Sequence, residues 1–321
     1  MFAYAVKRLI QMLVVLWAVS IIVFLMMSFT GDPVFMVVPI DATDAEIAQA
    51  RRILGLDRSL PEQYVLFLQN LVQGEFGRSY VFRQPALDLI LERLPATLEL
   101  VLVAMLIAAV VAIPLGVFAG ANPQNPLSRL IMSGSLVGIS LPGFWVGMML
   151  IFIFAVELRL FPSSGRGATV EFLGIRTSLL TANGWHHILL PAITLSLGTT
   201  AIILRITRAG MMEVMRQDYI KFARAKGVSR RGVLYGHGLR NGMIPVVTIF
   251  GLQLGDLIAF AVIAETIFAW PGMGKLLIDS IYRADRPVIV VYLMLVALIF
   301  VVVNFIVDIL YTMIDPRITV K

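Results

Sequence analysis

Six stretches of this chain are apolar, almost free of charge and long enough to cross a bilayer, and nothing else in the sequence limits the fold as strongly. A hydrocarbon core roughly 30 Å thick takes about 20 helical residues at about 1.5 Å each. The windows are Leu9–Ser28, Leu100–Phe118, Ile131–Val156, Ile188–Leu204, Gly242–Ala264 and Pro287–Val307, and only Asp256 places a charge inside one of them. Lipid offers no hydrogen bonds, so each window is expected to close its own backbone bonds as a helix. Hydrophobic residues make up 59% of the 321 and charged residues 14%, where a soluble domain carries about 25% charge. The sequence therefore predicts an all-α membrane protein with six transmembrane helices. The first window exceeds a signal-peptide core, and no small-residue cleavage site follows it before Gly31-Asp32-Pro33, so it is expected to stay as a span.

The absence of Cys removes disulfides, thiolate ligands and cysteine nucleophiles, and three His are a poor ligand set for zinc. The net charge of +6 carries less information than its distribution, and nucleic acid is not an expected partner. Lys7 and Arg8 precede the first span, and the stretch between spans four and five holds Arg205, Arg208, Arg216, Lys221, Arg224, Lys226, Arg230, Arg231 and Arg240 against Glu213 and Asp218. Positive charge stays in the cytoplasm, so this loop and both termini, with Arg317 and Lys321, are expected inside. The net acidic segment from Phe29 to Ala96 is then outside. Trp185, His186 and His187 would sit at the outer interface before the short fourth window.

The outer segment shows helical order. Thr43 and Glu46 form a capping box ahead of Ile47, Ala50 and Leu54, and Gly55 ends that run. A second helix is expected from Ser59, with Pro61 in its first turn, an apolar stripe of Tyr64, Phe67, Leu68 and Leu71, and a stop at Gly74. A third stripe, Leu87, Ile90, Leu91 and Leu94, fits a helix on the membrane surface leading into span two. The segment is either a cap that stabilises the spans or a docking surface for an external partner.

The basic loop is expected to be helical to Lys226, to break at Gly227 and to resume through Val233 and Leu234. Tyr219, Phe222 and Ala223 would share one face, apart from Lys221, Arg224 and Lys226. Such a loop suits either a protein groove or an anionic lipid surface. It resembles the EAA-type coupling segment of ABC importer permeases: Lys221-Phe222-Ala223, Gly227 and His237-Gly238-Leu239-Arg240 stand at that motif's spacings, without its Glu and Pro. ARAKG followed by HGLRN and IP is similar to the form in the dipeptide and oligopeptide (peptide/nickel) branch. So are GDP at Gly31–Pro33, LGLDRSLPEQY at Leu54–Tyr64, GEFGRS at Gly74–Ser79, RLPATLEL at Arg93–Leu100, AETIFAWPGMGKL at Ala264–Leu276, RADRPV at Arg283–Val288 and VNFIVDILYTMIDPRI at Val303–Ile318.

That resemblance implies the type I importer permease fold in a bacterial inner membrane. It divides the chain into a peripheral helix (1–28), a small helical periplasmic segment (29–96), a five-helix core (97–314) with a coupling loop (205–241), and a cytoplasmic tail (315–321). It implies a second homologous permease, two ATPase subunits and a periplasmic or extracellular binding protein, with membrane lipid around them. ATP-driven alternating access would carry di- or oligopeptides, or else nickel, glutathione or an oligosaccharide. Asp218, Tyr219, Phe222, Ala223, Arg224, Ala225, Lys226 and Gly227 would couple to the ATPase, with Ala223 allowing close approach. This chain would be no enzyme and bind no cofactor, since ATP and Mg belong to the partners. Gly272-Met273-Gly274-Lys275-Leu276 lacks the first Gly and the Ser/Thr of a phosphate loop and reads as a turn into a short helix, Lys275–Tyr282.

Polar residues inside spans are costly and usually functional. Asp256, midway along span five, reads either as an acid on the pathway, drawing a peptide amino terminus, or as a buried acid bonded to a neighbouring helix. Glu265 is a candidate for the outer gate. Asn304 and Asp308 read as structural. Pro142 and Pro191 are expected to kink spans three and four. An intramembrane serine protease is disfavoured because Gly138-Ile-Ser140-Leu-Pro142 misses the nucleophile pattern, and a secondary transporter because the two halves do not repeat.

Overall fold

The computed structural model describes residues 2–29, 34, 38–39 and 41–314. The Gly31-Asp32-Pro33 motif and the tail 315–321 lie outside them. Two compact units divide the chain, one built up to Leu94 together with Met273–Val302, the other from Pro95–Gly272 with the chain from Val303 on.

In the first unit, helix α1 (Phe2–Phe29) packs against α3 (Leu60–Gln73). The Ser20 hydroxyl and the Tyr64 phenol share a 2.8 Å hydrogen bond, and the Phe24 ring lies 5.3 Å from Tyr64 and 5.8 Å from Phe67. The aromatic stripe of α3 thus packs on the span. Before it, α2 (Asp44–Ile53) opens on the expected capping box, with the Thr43 N–H donating to Glu46 at 2.7 Å and the Glu46 N–H to Thr43 Oγ1 at 3.4 Å. The Thr43 backbone bond holds the Glu46 carboxyl below the usual carboxylate range, and the Ser59 hydroxyl does the same for Glu62 at the start of α3. Gly55 and Gly74 stop the two helices in the left-handed conformation that favours glycine.

Helix α4 (Ala86–Ala121) corrects one expectation. The stripe from Leu87 to Leu94 is not a separate surface helix but the first turns of a single 36-residue helix that contains Pro95 and Pro114. The first unit closes with α10 (Met273–Tyr282), as expected after the Pro-Gly turn, and with α11 (Arg286–Ile314) as far as Val302. Lys275 bonds Asp279 at 2.6 Å within α10.

The second unit contains α5 (Pro126–Ser140), α6 (Gly143–Leu150) with its π-helical continuation Ile151–Glu157, a hairpin of β1 (Val170–Phe172) and β2 (Ile175–Thr177), α7 (Ala182–Val214), α8 (Asp218–Ala225) and α9 (Ile244–Ile267). The antiparallel hairpin, with Glu171 opposite Arg176, was not foreseen. Helix α7 is the axis on which α5, α6 and α9 pack. Its neighbour α4 runs parallel to it: Ala96 and Leu100 cluster with Ile188 and Ala192, and Ala108 and Ala112 with Ile203 and Leu204. At Gly116 a Cβ would lie 2.6 Å from Thr207 Cβ, and at Gly120 2.6 Å from Met211 Cβ, so the two glycines, one turn apart, let the backbones touch. Helix α9 runs the other way, with Val246 in the Ile203 cluster and Ala264 in the Ile188 cluster.

Parallel α4 and α7 require the chain between them to cross back. It does so in a bent form, because α5 and α6 meet at 103°. Ile131 packs at the level of Ile203, Gly147 lies against Thr194, and His186 bonds the Leu160 carbonyl at 2.6 Å. The Ile131–Val156 window is therefore one crossing in two pieces. Pro142 does not kink a helix but separates two, taking the N-cap of α6, whereas Pro191 lies within α7 without interrupting it.

Replacing Gly116 with Leu should lower the stability of the detergent-purified protein by about 1–3 kcal/mol, the usual result of overpacking a helix contact. Gly134→Ala, where a Cβ meets nothing within 4 Å, should raise it by about 0.5–1 kcal/mol. Thermal unfolding of both variants checks this, and equal shifts would count against the α4–α7 contact.

Candidate functional site: a basic loop and an acid inside a span

Helix α7 extends three turns past the expected end of span four, so Arg205 and Arg208 lie on the helix, and the loop proper starts after Val214. A turn at Met215–Gln217 leads into α8, whose short length leaves its orientation to packing. Ile220 and Ala223 turn inward and form a small core with Val233, closed by Val214 and Met215. Tyr219 and Phe222 turn outward, Phe222 being 61% exposed and Ala223 8%. The face expected to hold Tyr219, Phe222 and Ala223 together is thus divided, because Ala223 is the small residue over which Val233 closes. Asp218, Arg224, Ala225 and Lys226 are exposed.

The end of α8 explains why glycine stands at 227. Its φ is +79°, the Gly227 N–H bonds the Arg224 carbonyl at 3.0 Å, and the Val228 N–H bonds the Ala223 carbonyl at 3.2 Å. This left-handed closure satisfies the last carbonyls of α8 and reverses the chain. The chain then enters the π-helical stretch Gly232–Leu239, whose Gly238 packs closely against Met211 and Met215. Arg230 donates to Asn122 Oδ1 at 2.6 Å and ties the loop to the end of α4. On the outer face Asn241 donates to the Tyr219 phenol at 2.9 Å, and the Lys226 ammonium stands 4.6 Å from the Phe222 ring centroid. Lys221 bonds Asp218 at 2.8 Å and holds that carboxyl below its usual range, a contact too exposed to add much stability. The loop is a braced platform with two aromatic side chains and a basic rim on its open face.

Asp256 lies at the middle of α9 and is exposed, and among the described residues it has no hydrogen bond or ion pair. Leu252 and Phe260, one turn to either side, are exposed as well. Glu265 is fully buried. Thr97 Oγ1 donates to its Oε1 at 2.5 Å, and a Cβ on Gly272 would collide with its carboxylate, so the Trp270-Pro271-Gly272 turn needs glycine at its end. The buried Trp270 indole N–H bonds the Ala96 carbonyl at 2.9 Å. Asn304 and Asp308 are half-buried on α11.

Two buried carboxylates escaped the sequence reading. Glu99 takes hydrogen bonds from the Ser178 N–H at 3.0 Å and hydroxyl at 2.8 Å, and an ion pair from Arg166 at 2.8 Å. Asp285 takes bonds from the Ser79 hydroxyl and, at 3.0 Å, from the Tyr80 N–H. Glu99 stood just outside an apolar window, and Ser79 and Asp285 both lay in motifs read only as family marks. Their partners are far away in sequence, so no local pattern joins them. Among the described residues no group of three or more His, Cys, Asp or Glu is placed to hold a metal ion.

Ala223→Asp would bury an unpaired charge beside Val233 and should speed amide exchange across 218–240 by about tenfold or more. Phe222→Asp, on the open face, should leave those rates near the parent's. Hydrogen–deuterium exchange reads both, and equal protection in the two variants would contradict the inward placement of Ala223.

The geometry can be set beside known proteins. Residues 112–320 match the family described as "Binding-protein-dependent transport system inner membrane component", and residues 1–101 match its N-terminal counterpart. Similar proteins include the oligopeptide transport system permease protein AppB of Bacillus subtilis (strain 168), 39% identical over 99% of each chain. The glutathione transport system permease protein GsiC of Escherichia coli (strain K12) is 39% identical over 100% of each. The di/tripeptide transport system permease protein DppB of Pseudomonas aeruginosa (strain UCBPP-PA14) is 41% identical over 99% of each. Among solved structures, the MetNI methionine ABC transporter in an inward-facing conformation matches with a TM-score of 0.56 at 17% identity, covering 72% of this chain and 98% of that one.

Proposed function

The chain belongs to the family of binding-protein-dependent transport system inner membrane components, the permeases of ABC importers, and from that premise we propose that it forms half of an import path for di- or oligopeptides. Its fold is that of a type I importer permease and its helices cross the membrane several times. The full-length relatives carry names for oligopeptide, di/tripeptide and glutathione transport, and all three cargoes are short chains of amino acids. Nickel or an oligosaccharide is the second reading within the same branch.

In the proposed assembly a second, homologous permease completes the path, two ATPase subunits bind ATP and Mg, and an external binding protein delivers the peptide. This chain does no covalent chemistry. Its task is to be stable in two conformations whose balance the partners shift. The excess of Lys and Arg in the basic loop supports a cytoplasmic position for α8, and Lys7 and Arg8 before the first span and Arg317 and Lys321 after the last support the same for the two termini. The observation that carries the coupling role is the platform itself: Ile220 and Ala223 anchor α8 inward while Tyr219 and Phe222 stand out above a basic rim, suited to an apolar groove with acidic edges. Asp218, Arg224, Ala225 and Lys226 lie on or beside that open face, and Gly227 sets its angle.

The same assembly accounts for Asp256. A carboxylate at the centre of a lipid-facing helix costs about 2.5–3.5 kcal/mol on insertion scales, so the exposed Leu252–Asp256–Phe260 face is assigned to the water-filled path and not to lipid. There the acid would favour a cationic amino terminus. Glu265 with Thr97 and the Trp270 turn holds the opposite end of α9, where an outer gate would close.

Co-purification in mild detergent should recover two ATPases, a second permease and a binding protein, and recovery of the chain alone would reject the assembly. In reconstituted complex, Phe222→Ala should lower peptide-driven ATP hydrolysis and uptake by about tenfold, as expected for loss of a central aromatic anchor. Unchanged uptake would remove Phe222 from the contact. Asp256→Asn should reduce uptake of peptides with a free amino terminus more than of N-acetylated ones, and an equal effect on both would take Asp256 off the path.

A further inference from the structure

Within the second unit a cavity of about 440 Å3 lies between the basic loop and the end of α4, a size that holds a small organic ligand. Ala121 closes it from the last turn of α4, and Met215 from the turn after α7. Val233 and Leu234, which open the π-helical stretch Gly232–Leu239, form a further wall, and such stretches are rare and concentrate at functional sites. Two guanidinium groups, those of Arg224 and Arg230, complete the lining, and no described carboxylate shares it. Arg224 follows Ile220 by one turn, so at about 100° per residue it flanks the buried face of α8 on the side away from Tyr219 and Phe222. Its guanidinium makes no hydrogen bond or ion pair among the described residues, and Arg230 donates at 2.6 Å to a neutral acceptor, the Asn122 amide oxygen. The acids of the loop lie elsewhere: Asp218 bonds Lys221, and Glu213 is exposed and outside the lining.

We propose that this cavity binds the phosphate group of a phosphate ester, with Arg224 and Arg230 on its oxygens. A carboxylate has two oxygens and is filled by one guanidinium fork, whereas a phosphate has oxygens enough for both. Bound there, it would tie the last turn of α8 to the start of the next helix and to the end of α4, adding to the brace that Arg230 and Asn122 already form. A soluble phosphate ester and a phospholipid headgroup share this chemistry. The proposal stands whatever the cargo is and whether or not α8 meets an ATPase.

The test is hydrogen–deuterium exchange across residues 218–240 of the full chain at constant ionic strength, with two probes: glycerol 3-phosphate in a phosphate-free neutral detergent, and nanodiscs of phosphatidylglycerol or phosphatidylcholine. At least one phosphate source should slow exchange at 224–234, by about tenfold for a soluble ester at about ten times its dissociation constant. Slowing by glycerol 3-phosphate would assign the phosphate to a soluble ester, and slowing by phosphatidylglycerol alone would assign it to a lipid headgroup. Each of Arg224→Gln and Arg230→Gln should weaken the effective probe by about tenfold, the worth of a hydrogen bond between charged groups. Ala121→Phe, which fills the cavity from α4 and touches no charge, should abolish the effect while exchange without probe stays as in the parent. Arg231→Gln, on the same loop but outside the lining, should keep it. Slowing by neither probe, equal slowing by acetate, or an effect unchanged in all three cavity variants would overturn the proposal. So would an equal loss in Arg231→Gln, which would make the response one of the loop's overall charge.

Discussion

The parallel contact of α4 with α7 sets the terms for the second unit. Two helices running the same way cannot be joined by a short turn, so sixty residues between Ala121 and Ala182 must return the chain across the membrane. In lipid that return has to be helical. The bent pair of α5 and α6 supplies it with a break at Pro142, where the missing N–H falls on a helix start and leaves no donor unpaired. The contact itself depends on Gly116 and Gly120, since a membrane gives apolar side chains no reason to prefer each other over lipid and close backbone approach becomes the main attraction. Toward one end of this pair the buried Glu265 and Trp270 hold α4 at Thr97 and Ala96 to the end of α9, and at the other Arg230 and Asn122 hold the basic loop to the end of α4.

The basic loop inherits its rigidity from that frame. Three devices act in series: the extension of α7 to Val214, the small core of Ile220, Ala223 and Val233, and the left-handed closure at Gly227. Each contributes little alone, because an eight-residue helix is marginal in water. Together they hold Tyr219 and Phe222 on a surface that is already ordered, which would lower the cost of the proposed coupling contact.

Much of this was legible before any coordinates. The spans followed from hydropathy, the caps of α2 and α3 from Thr43, Ser59 and their glutamates, and the stops at Gly55, Gly74 and Gly227 from the rarity of left-handed backbone elsewhere. The face of α8 was misjudged because a helical wheel over eight residues leaves Ala223 at the border between two faces. The bend at Pro142 was read as a kink because proline weakens a helix wherever it falls, and only the capping geometry distinguishes a kink from a boundary. Glu99 with Arg166, and Ser79 with Asp285, were invisible as pairs because their partners lie far along the chain.

What the sequence determined by itself is the solvent of each segment. Transfer into lipid is a nearly additive property of about 20 successive side chains, so six apolar windows and one basic loop are readable without knowing what touches what. What only the tertiary structure decided is which side of each helix faces in: that Ala223 faces in and Phe222 out, that Asp256 is exposed while Glu265 is buried, and that Asp285 closes on Ser79. Those outcomes depend on contacts between residues tens to hundreds of positions apart, where the order of the chain carries no distance.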